Sequence, residues 1–349
     1  MANIMLTDKC NLGCQYCFAN EFVNQKANEI TIANFQKAVE FITRDRTCRH
    51  IGLIGGEPTL HSQLKDILEF IINNNQINSC MIYTNAICID SFVNQIAHPK
   101  FRLLINCNSR KDIGESNFNK LDKNLYLLVN ERYLRDRITL GFNFYDVNQD
   151  CMFFIDLLKK YGFRHARVSV TVPNTHEKRN ENSHTYFRKM KPGVKSLFEI
   201  LISNNIIPHY DCNKIPSCCL DRQDIDELNQ IIPPKMLEEI RKTPPGISIF
   251  APLVRCSPVI DILQDLTAVR CFGLSKHTRV NINDFGGIEE LYNYYLSEID
   301  SFAYCSSDSK ECADCMNMKK RLCMGGCLSF KIDEILKVHS FAQSMMHKE

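Results

Sequence analysis

The sequence lacks the features that would send it into a membrane or out of the cell. No apolar run approaches the ~20 residues needed to span a bilayer. The first residues, MANIMLTDKC, lack the apolar core of a signal peptide. Neither charge is in excess: 42 Lys and Arg against 40 Asp and Glu leave +2, so nothing points to nucleic acid or to an anionic lipid surface. The ten histidines form no HxxH or HxxxH pair, and none is assigned to metal. Internal repeats and low-complexity tracts are absent as well. What remains is a cytoplasmic enzyme as the default expectation, and 349 residues are enough for two or three domains.

Cysteine is what the sequence has in excess. There are 18, three at the N-terminus, three within 212–219 and five between 305 and 327, with seven scattered singly. Disulfide scaffolds are short and exported, whereas clustered thiols in a reducing compartment more often hold metal.

The first 175 residues alternate short apolar runs with helical stripes. Residues 2–6, 51–54, 79–85, 101–109, 137–145 and 166–172 read as strands. Thr31 can cap a helix carrying Phe35, Ala38, Val39 and Ile42, and Leu64, Ile67, Leu68 and Ile71 repeat the spacing. Phe154, Leu157, Leu158 and Tyr161 mark another helix, ending at Gly162. Roughly six βα units follow from this pattern. An open doubly wound sheet and a full or partial barrel both accommodate it, and both gather chemistry at the carboxyl ends of the strands. Beyond 175 the pattern breaks. A polar stretch (174–186) leads to a helix near 193–204, then to HYDCNKIPSCC (209–219), and the pairs Pro233-Pro234 and Pro244-Pro245 mark a connecting region. The reading is three segments: a core at 1–175, a bridging region at 176–255, and a cysteine-rich domain at 256–349.

Two motifs carry chemistry. CNLGCQYCF (10–18) sets Cys10, Cys14 and Cys17 in a C-x3-C-x2-C run just after the first strand. Three thiolates can hold three corners of an iron–sulfur cuboid and leave the fourth iron open. A zinc site with a distant fourth ligand fits the same spacing. GGEP (55–58) ends the second strand. Gly55 and Gly56 let the backbone approach a ligand closely, and Glu57 is an anion able to accept from an amino group. Pro58 suits the opening of a helix, so a plain βα turn is the alternative.

Together these motifs resemble the radical S-adenosylmethionine (SAM) superfamily, over residues 2–175. The resemblance implies an α/β fold, a partial (β/α)6 TIM-like barrel. It implies a [4Fe–4S] cluster on Cys10, Cys14 and Cys17 whose open iron binds SAM and generates a 5′-deoxyadenosyl radical. Tyr16 matches the aromatic before the third cysteine, and Gly55, Gly56, Glu57 and Pro58 match the SAM-binding motif. Further SAM contacts are expected at strand ends: Thr84 and Asn85, then Asn106, Asn108 and Ser109, Asn143, and Arg167 with Ser169. Each of these also reads as a cap or turn residue. Cys107 reads either as a hydrogen donor or as a small buried hydrophobe.

The tail reads CADCMNMKKRLCMGGC (312–327), and Cys256 and Cys271 flank a small hairpin upstream. This resembles the SPASM extension, which adds auxiliary [4Fe–4S] clusters to radical SAM barrels, mostly in enzymes that modify ribosomally made peptides or proteins. A zinc ribbon is the alternative. The sequence departs from that family where Leu266, Thr267 and Ala268 replace a glycine, and where 328–349 lack a final cysteine. One or two auxiliary clusters are therefore expected. Family logic assigns Cys256, Cys271 and Cys327 to the first, completed by one of Cys212, Cys218 or Cys219, with Cys219 favoured. It assigns Cys312, Cys315 and Cys323 to the second, where Cys305 replaces the missing ligand or an iron stays open.

The expected substrate is a peptide or protein, cross-linked through a thioether or carbon–carbon bond. Oxidation of a side chain or small molecule and peptide epimerisation are the alternatives, and an electron carrier without catalysis is a third class. Expected partners are a reductant such as flavodoxin or ferredoxin, with neither nucleic acid nor membrane. Only nine residues precede Cys10, so a leader peptide is expected to be bound by a separate protein or by 176–255.

Overall fold

The computed structural model describes residues 2–20, 22–171, 181–210, 212–213, 215–236, 238 and 253–346. Pro244-Pro245 and residues 174–180 of the polar stretch lie outside the described residues. The six strands expected from the apolar runs form as β1 (Ala2–Met5), β2 (His50–Ile54), β3 (Ser79–Thr84), β4 (Phe101–Asn106), β5 (Ile138–Phe144) and β6 (His165–Val170). β7 (Ile207–Tyr210) has no strand signal in the sequence. β8 (Ile260–Ile262) and β9 (Thr267–Val269) are the hairpin between Cys256 and Cys271, and β10 (Val280–Asn281) follows.

The chain packs as two compact units. Met1–Gly141, Met152–Phe163 and Pro258–Asn293 make the first, and Phe142–Cys151, Arg164–Ser257 and Tyr294–Glu349 the second. These boundaries cut across the three segments read from the sequence. Residues 258–293 join the first unit because β8 lies parallel beside β1, with Ala2 opposite Ile260 and Ile4 opposite Ile262.

In the first unit the strand order is β10-β9-β8-β1-β2-β3-β4-β5, and β1 to β5 are all parallel. A doubly wound sheet reverses its winding beside the first strand. Here the chain advances one way from β1 to β5, as in a barrel. The fold class is α/β, with a parallel-rich sheet and helical crossovers. In the second unit β6 pairs parallel with β7, and Thr171 donates its N–H to the Phe144 carbonyl at the end of β5 (2.9 Å).

The helices follow their stripes. Thr31 caps Ile32–Thr43 by accepting from Asn34 N–H (3.1 Å), and Phe35, Ala38, Val39 and Ile42 are buried. Leu64–Asn73 buries Leu64, Ile67, Leu68 and Ile71. Met152–Lys160 ends before Gly162, whose φ of +69° suits a glycine beyond a helix C-terminus. The helix expected near 193–204 runs from Ser183 to Ser203, because Asn182 caps it from inside the polar stretch (Thr185 N–H to Asn182 Oδ1, 2.8 Å). Pro192 lies within it. Among the described residues no helix is long and apolar enough to cross a membrane.

A carboxyl group is sunk into the sheet of the first unit. Asp261 on β8 is fully buried, accepting from Asn3 Nδ2 (2.7 Å) and Phe272 N–H (3.0 Å). Burial pushes its carboxyl from 3.8 up to about 7, against those two donors. The folded state then holds a proton that the unfolded chain has lost. The contribution of Asp261 to stability is fullest below about pH 4 and is lost as pH rises towards 7, by up to roughly 4 kcal/mol. Asp261→Asn keeps an acceptor without the charge. Its melting temperature relative to the parent's should be higher at pH 8 than at pH 4.5. A constant difference across that range would place the proton elsewhere.

Candidate functional site

β1 and β2 run parallel and their ends lie at one edge of the sheet. The pairing continues past both strands. Leu6 N–H donates to Ile54 O, Gly56 N–H to Thr7 O and Glu57 N–H to Lys9 O, each at 2.8 Å. This extension explains the two glycines. A Cβ on Gly55 would lie 2.6 Å from the Thr7 carbonyl oxygen, and one on Gly56 would lie 2.3 Å from that of Lys9. Both glycines thus permit a close approach of the chain to itself at the root of the cysteine loop.

Loop 10–17 is braced at several points. Cys17 N–H donates to Cys14 O (3.1 Å), closing the C-x2-C turn. Asn24 brackets Cys10, its Oδ1 accepting from Cys10 N–H (2.8 Å) and its Nδ2 donating to Cys10 O (3.1 Å). Leu12 N–H points at the Cys10 sulfur (3.4 Å). Downstream, Phe18 and Phe22 pack on Phe272, with ring centroids 5.2 and 5.7 Å apart. Cys17 packs against the core of Met5, Ile54, Leu263, Val269 and Phe272.

Cys10, Cys14 and Cys17 are free thiols. Burial pushes Cys10 and Cys14 up to about 11; Glu57 and Cys14 add to this at Cys10, and Cys17 does so at Cys14. Cys17 is raised for the same first reason. The donor set is soft sulfur throughout, which fits an iron–sulfur cluster held by three corners.

Glu57 is nine-tenths or more buried and saturated with donors. Its Oε1 accepts from Thr59 N–H (3.1 Å), Thr59 Oγ1 (2.7 Å) and Thr84 Oγ1 (2.6 Å), and its Oε2 accepts from Asn85 N–H (2.7 Å). Burial still pushes its carboxyl above the usual range, against these four donors. Asn85 Nδ2 in turn donates to Asn11 Oδ1 (2.7 Å) inside the cysteine loop. Glu57, Thr84 and Asn85 thus tie the ends of β2 and β3 to that loop. In Glu57→Gln, an amide set against Asn85 N–H leaves a buried donor unpaired, costing about 1–3 kcal/mol. The melting temperature should drop and iron retention weaken. A variant that melts like the parent and loses only SAM affinity would instead place the carboxylate against SAM.

The remaining expected contacts are also engaged within the chain. The Tyr16 hydroxyl donates to Asn108 Oδ1, which is buried after β4. Asn106 ends β4. Ser109 caps the short helix Arg110–Ile113, accepting from Asp112 N–H (3.2 Å). Cys107 is buried, its thiol 3.6 Å from the Ile105 carbonyl and pushed up to about 12 by burial. In the second unit Arg167 donates to Asn143 Oδ1 (2.6 Å) and Ser169 to the Cys212 carbonyl (3.3 Å). Asn11, Asn24 and Thr59 carry no motif, and sequence reasoning missed them.

The second unit holds a further group of thiols. Cys218, Cys219, Cys312, Cys315 and Cys323 line one cavity of about 250 Å³. Beside it Lys331 is buried, donating to Ala303 O (2.5 Å), Ser306 O (2.9 Å) and Met324 O. Burial pulls its ammonium down to about 8, while Asp308, Cys312, Cys323 and Cys305 favour the charge. Cys256 donates its N–H to Met324 Sδ (3.1 Å), and the Cys327 sulfur lies 3.2 Å from Ser329 Oγ. Cys271 belongs to the first unit, with Arg270 Nη1 3.9 Å from its sulfur.

The braced cysteine loop joined to the Gly-Gly-Glu-Pro turn has a counterpart in known families. Residues 4–125 match the Radical SAM superfamily. This stretch is a radical SAM domain. Such domains use a [4Fe–4S] cluster and SAM, and Cys10, Cys14 and Cys17 are the residues of this one that suit the cluster. The curated relatives include a GTP 3′,8-cyclase of Clostridium botulinum, 27% identical over 177 residues, covering 45% of this chain and 52% of that protein. The namesake of Desulforamulus reducens is 31% identical over 86 residues, covering 24% and 26%. The chain therefore spans between about a quarter and half of these relatives. Likeness of fold extends well beyond the radical SAM domain. SuiB of Streptococcus suis, bound to S-adenosylmethionine, matches 94% of this chain and 72% of its own, with a TM-score of 0.60 and 14% identity. The protein anSMEcpe with bound AdoMet matches 94% and 88%, at 0.62 and 19% identity.

Proposed function

We propose that this chain is a radical SAM enzyme that modifies a ribosomally made peptide or protein, forming a thioether or carbon–carbon cross-link with the help of auxiliary iron–sulfur clusters in a SPASM-like second unit. The observation that carries the reading is the thiol-lined cavity, a second group of soft ligands within the second unit. The fold likeness to SuiB, also solved with its precursor peptide SuiA, supports a peptide as substrate. Cys10, Cys14 and Cys17 would hold the cluster, which would supply the one-electron reduction of SAM on which hydrogen abstraction from a substrate depends. The chain's own part is to hold that cluster in a braced loop, to pack Cys17 against an apolar wall that keeps water away, and to fix the loop to β2 and β3 through Glu57 and Asn85. An external reductant such as flavodoxin or ferredoxin, a separate leader-recognition protein and a cytoplasmic location belong to the same reading.

A second reading is favoured by the sequence likeness to GTP 3′,8-cyclases: a nucleotide substrate with an intramolecular ring closure. One experiment separates the two. The reconstituted protein is incubated anaerobically with SAM and dithionite, in one arm with short Cys-, Ser- or Thr-rich peptides encoded beside its gene, in the other with GTP. Loss of two hydrogen atoms from a peptide, seen by mass spectrometry, supports the first reading. Consumption of GTP with no peptide change overturns it.

A further inference from the structure

We infer that the second auxiliary cluster takes its fourth ligand from the Cys218–Cys219 pair, carried by the turn Ser217–Cys219, and not from Cys305. This inference rests on the auxiliary-cluster part of the proposed function. In the sequence that cluster has three ligands, Cys312, Cys315 and Cys323, and lacks the fourth. In the structure those three sulfurs share one cavity with Cys218 and Cys219. His184 faces the same space, and its ring nitrogen and the two adjacent sulfurs all lie within 4.8 Å of one another. Cys219 is buried at 2% exposure. Cys305 does not line the cavity; it is exposed, with Arg321 Nη2 3.9 Å from its sulfur.

The wall of the cavity is built for a sulfur-bound occupant. Cys315 N–H donates to Cys312 O (3.1 Å), closing the C-x2-C turn, and Ser309 Oγ accepts from Cys312 N–H (3.2 Å). Val254 and Gly325 both direct N–H groups at the Cys323 sulfur, each at 3.3 Å. Such donors stabilise a ligating thiolate. Gly325 has φ +69°, and a Cβ there would lie 2.7 Å from Met318 Sδ and 3.4 Å from the Cys312 sulfur. Only glycine lets this turn pass so close. The volume also discriminates. A zinc ion drawn to four ligands at roughly 2.0–2.3 Å closes its site around itself. A cavity of about 250 Å³ with five cysteines in its lining suits a polynuclear cluster.

The test isolates the auxiliary clusters by replacing Cys10, Cys14 and Cys17 with alanine. Iron, sulfide and zinc are measured in that background, then after adding Cys218→Ser, Cys219→Ser, both together, or Cys305→Ser. The double variant should lose iron, up to about four atoms, or change one set of paramagnetic resonance signals to that of a cluster with three cysteine ligands, while Cys305→Ser keeps both the iron and the spectrum. A double variant with full iron and an unchanged spectrum overturns the inference, as does loss of a cluster in Cys305→Ser alone. Equimolar zinc in place of iron also overturns it. A background protein without any iron would sink the auxiliary-cluster reading itself, which is a separate failure. Should the double variant not fold, alkylation of the parent holoprotein decides. Cys305 should be labelled and one thiol of the Cys218–Cys219 pair protected until the clusters are removed; labelling of both with clusters in place overturns the assignment.

Discussion

Replacing Cys10, Cys14 and Cys17 together with alanine is expected to remove about four irons per chain and to abolish 5′-deoxyadenosine formation. All three side chains sit in one braced loop, and no other cysteine offers a fourth corner in the motif, so the cluster has nowhere else to go. The loss should not come from unfolding. Cys10, Cys14 and Cys17 are only partly buried, and their replacement by alanine leaves the Asn24 and Cys14–Cys17 backbone bonds in place. The far-ultraviolet circular dichroism and the melting curve should stay close to those of the cluster-free parent. Product formed by this variant under dithionite would remove these residues from the site.

The next largest effect is expected from a single methyl group. In Gly56→Ala the new Cβ would lie 2.3 Å from Lys9 O, 2.7 Å from Lys9 C and 2.9 Å from Asp8 O, all backbone atoms. No rotamer relieves that clash. The 8–10 segment must move away, at a cost of about 1–3 kcal/mol, and the Glu57 N–H to Lys9 O bond opens with it. Because Lys9 precedes Cys10, the displacement reaches the first cluster ligand directly. Iron content should fall severalfold and SAM cleavage with it. Gly13→Ala is the control within the loop, since a Cβ there meets nothing within 4 Å. Equal iron in the two variants would show that the Gly56 contact yields without moving Cys10.

The comparison between those two glycines shows where sequence reasoning reaches and where it stops. Gly56 is legible as a point of close approach, because glycine after a strand has few other uses. What approaches it is not legible, because that depends on β1 and β2 pairing beyond their ends. The stripes of Ile32–Thr43 and Leu64–Asn73 are legible from period alone, since each buries one face on the sheet. The winding direction is not, for the same alternation of strands and helices serves both barrel and doubly wound sheet. Asn24 and Asn11 read as loop residues, and only their geometry shows that they hold Cys10 and Asn85. Cys218 and Cys219 are visible as a thiol pair, but their shared cavity with Cys312 spans almost a hundred residues of chain, beyond any local pattern.

The parallel pairing of β8 with β1 has a consequence for how the protein is made. Asn3 and Asp261 are hydrogen-bonded across 258 positions of sequence, and the ring that Phe18 and Phe22 pack against is Phe272. During synthesis the cysteine loop leaves the ribosome early, yet the wall behind it arrives only when residue 272 does. Until then β1 has an open edge, the kind of surface on which nascent chains associate. The packing that orders the cysteine loop is therefore expected to form only after translation of the hairpin, so residues made early are among the last to be ordered.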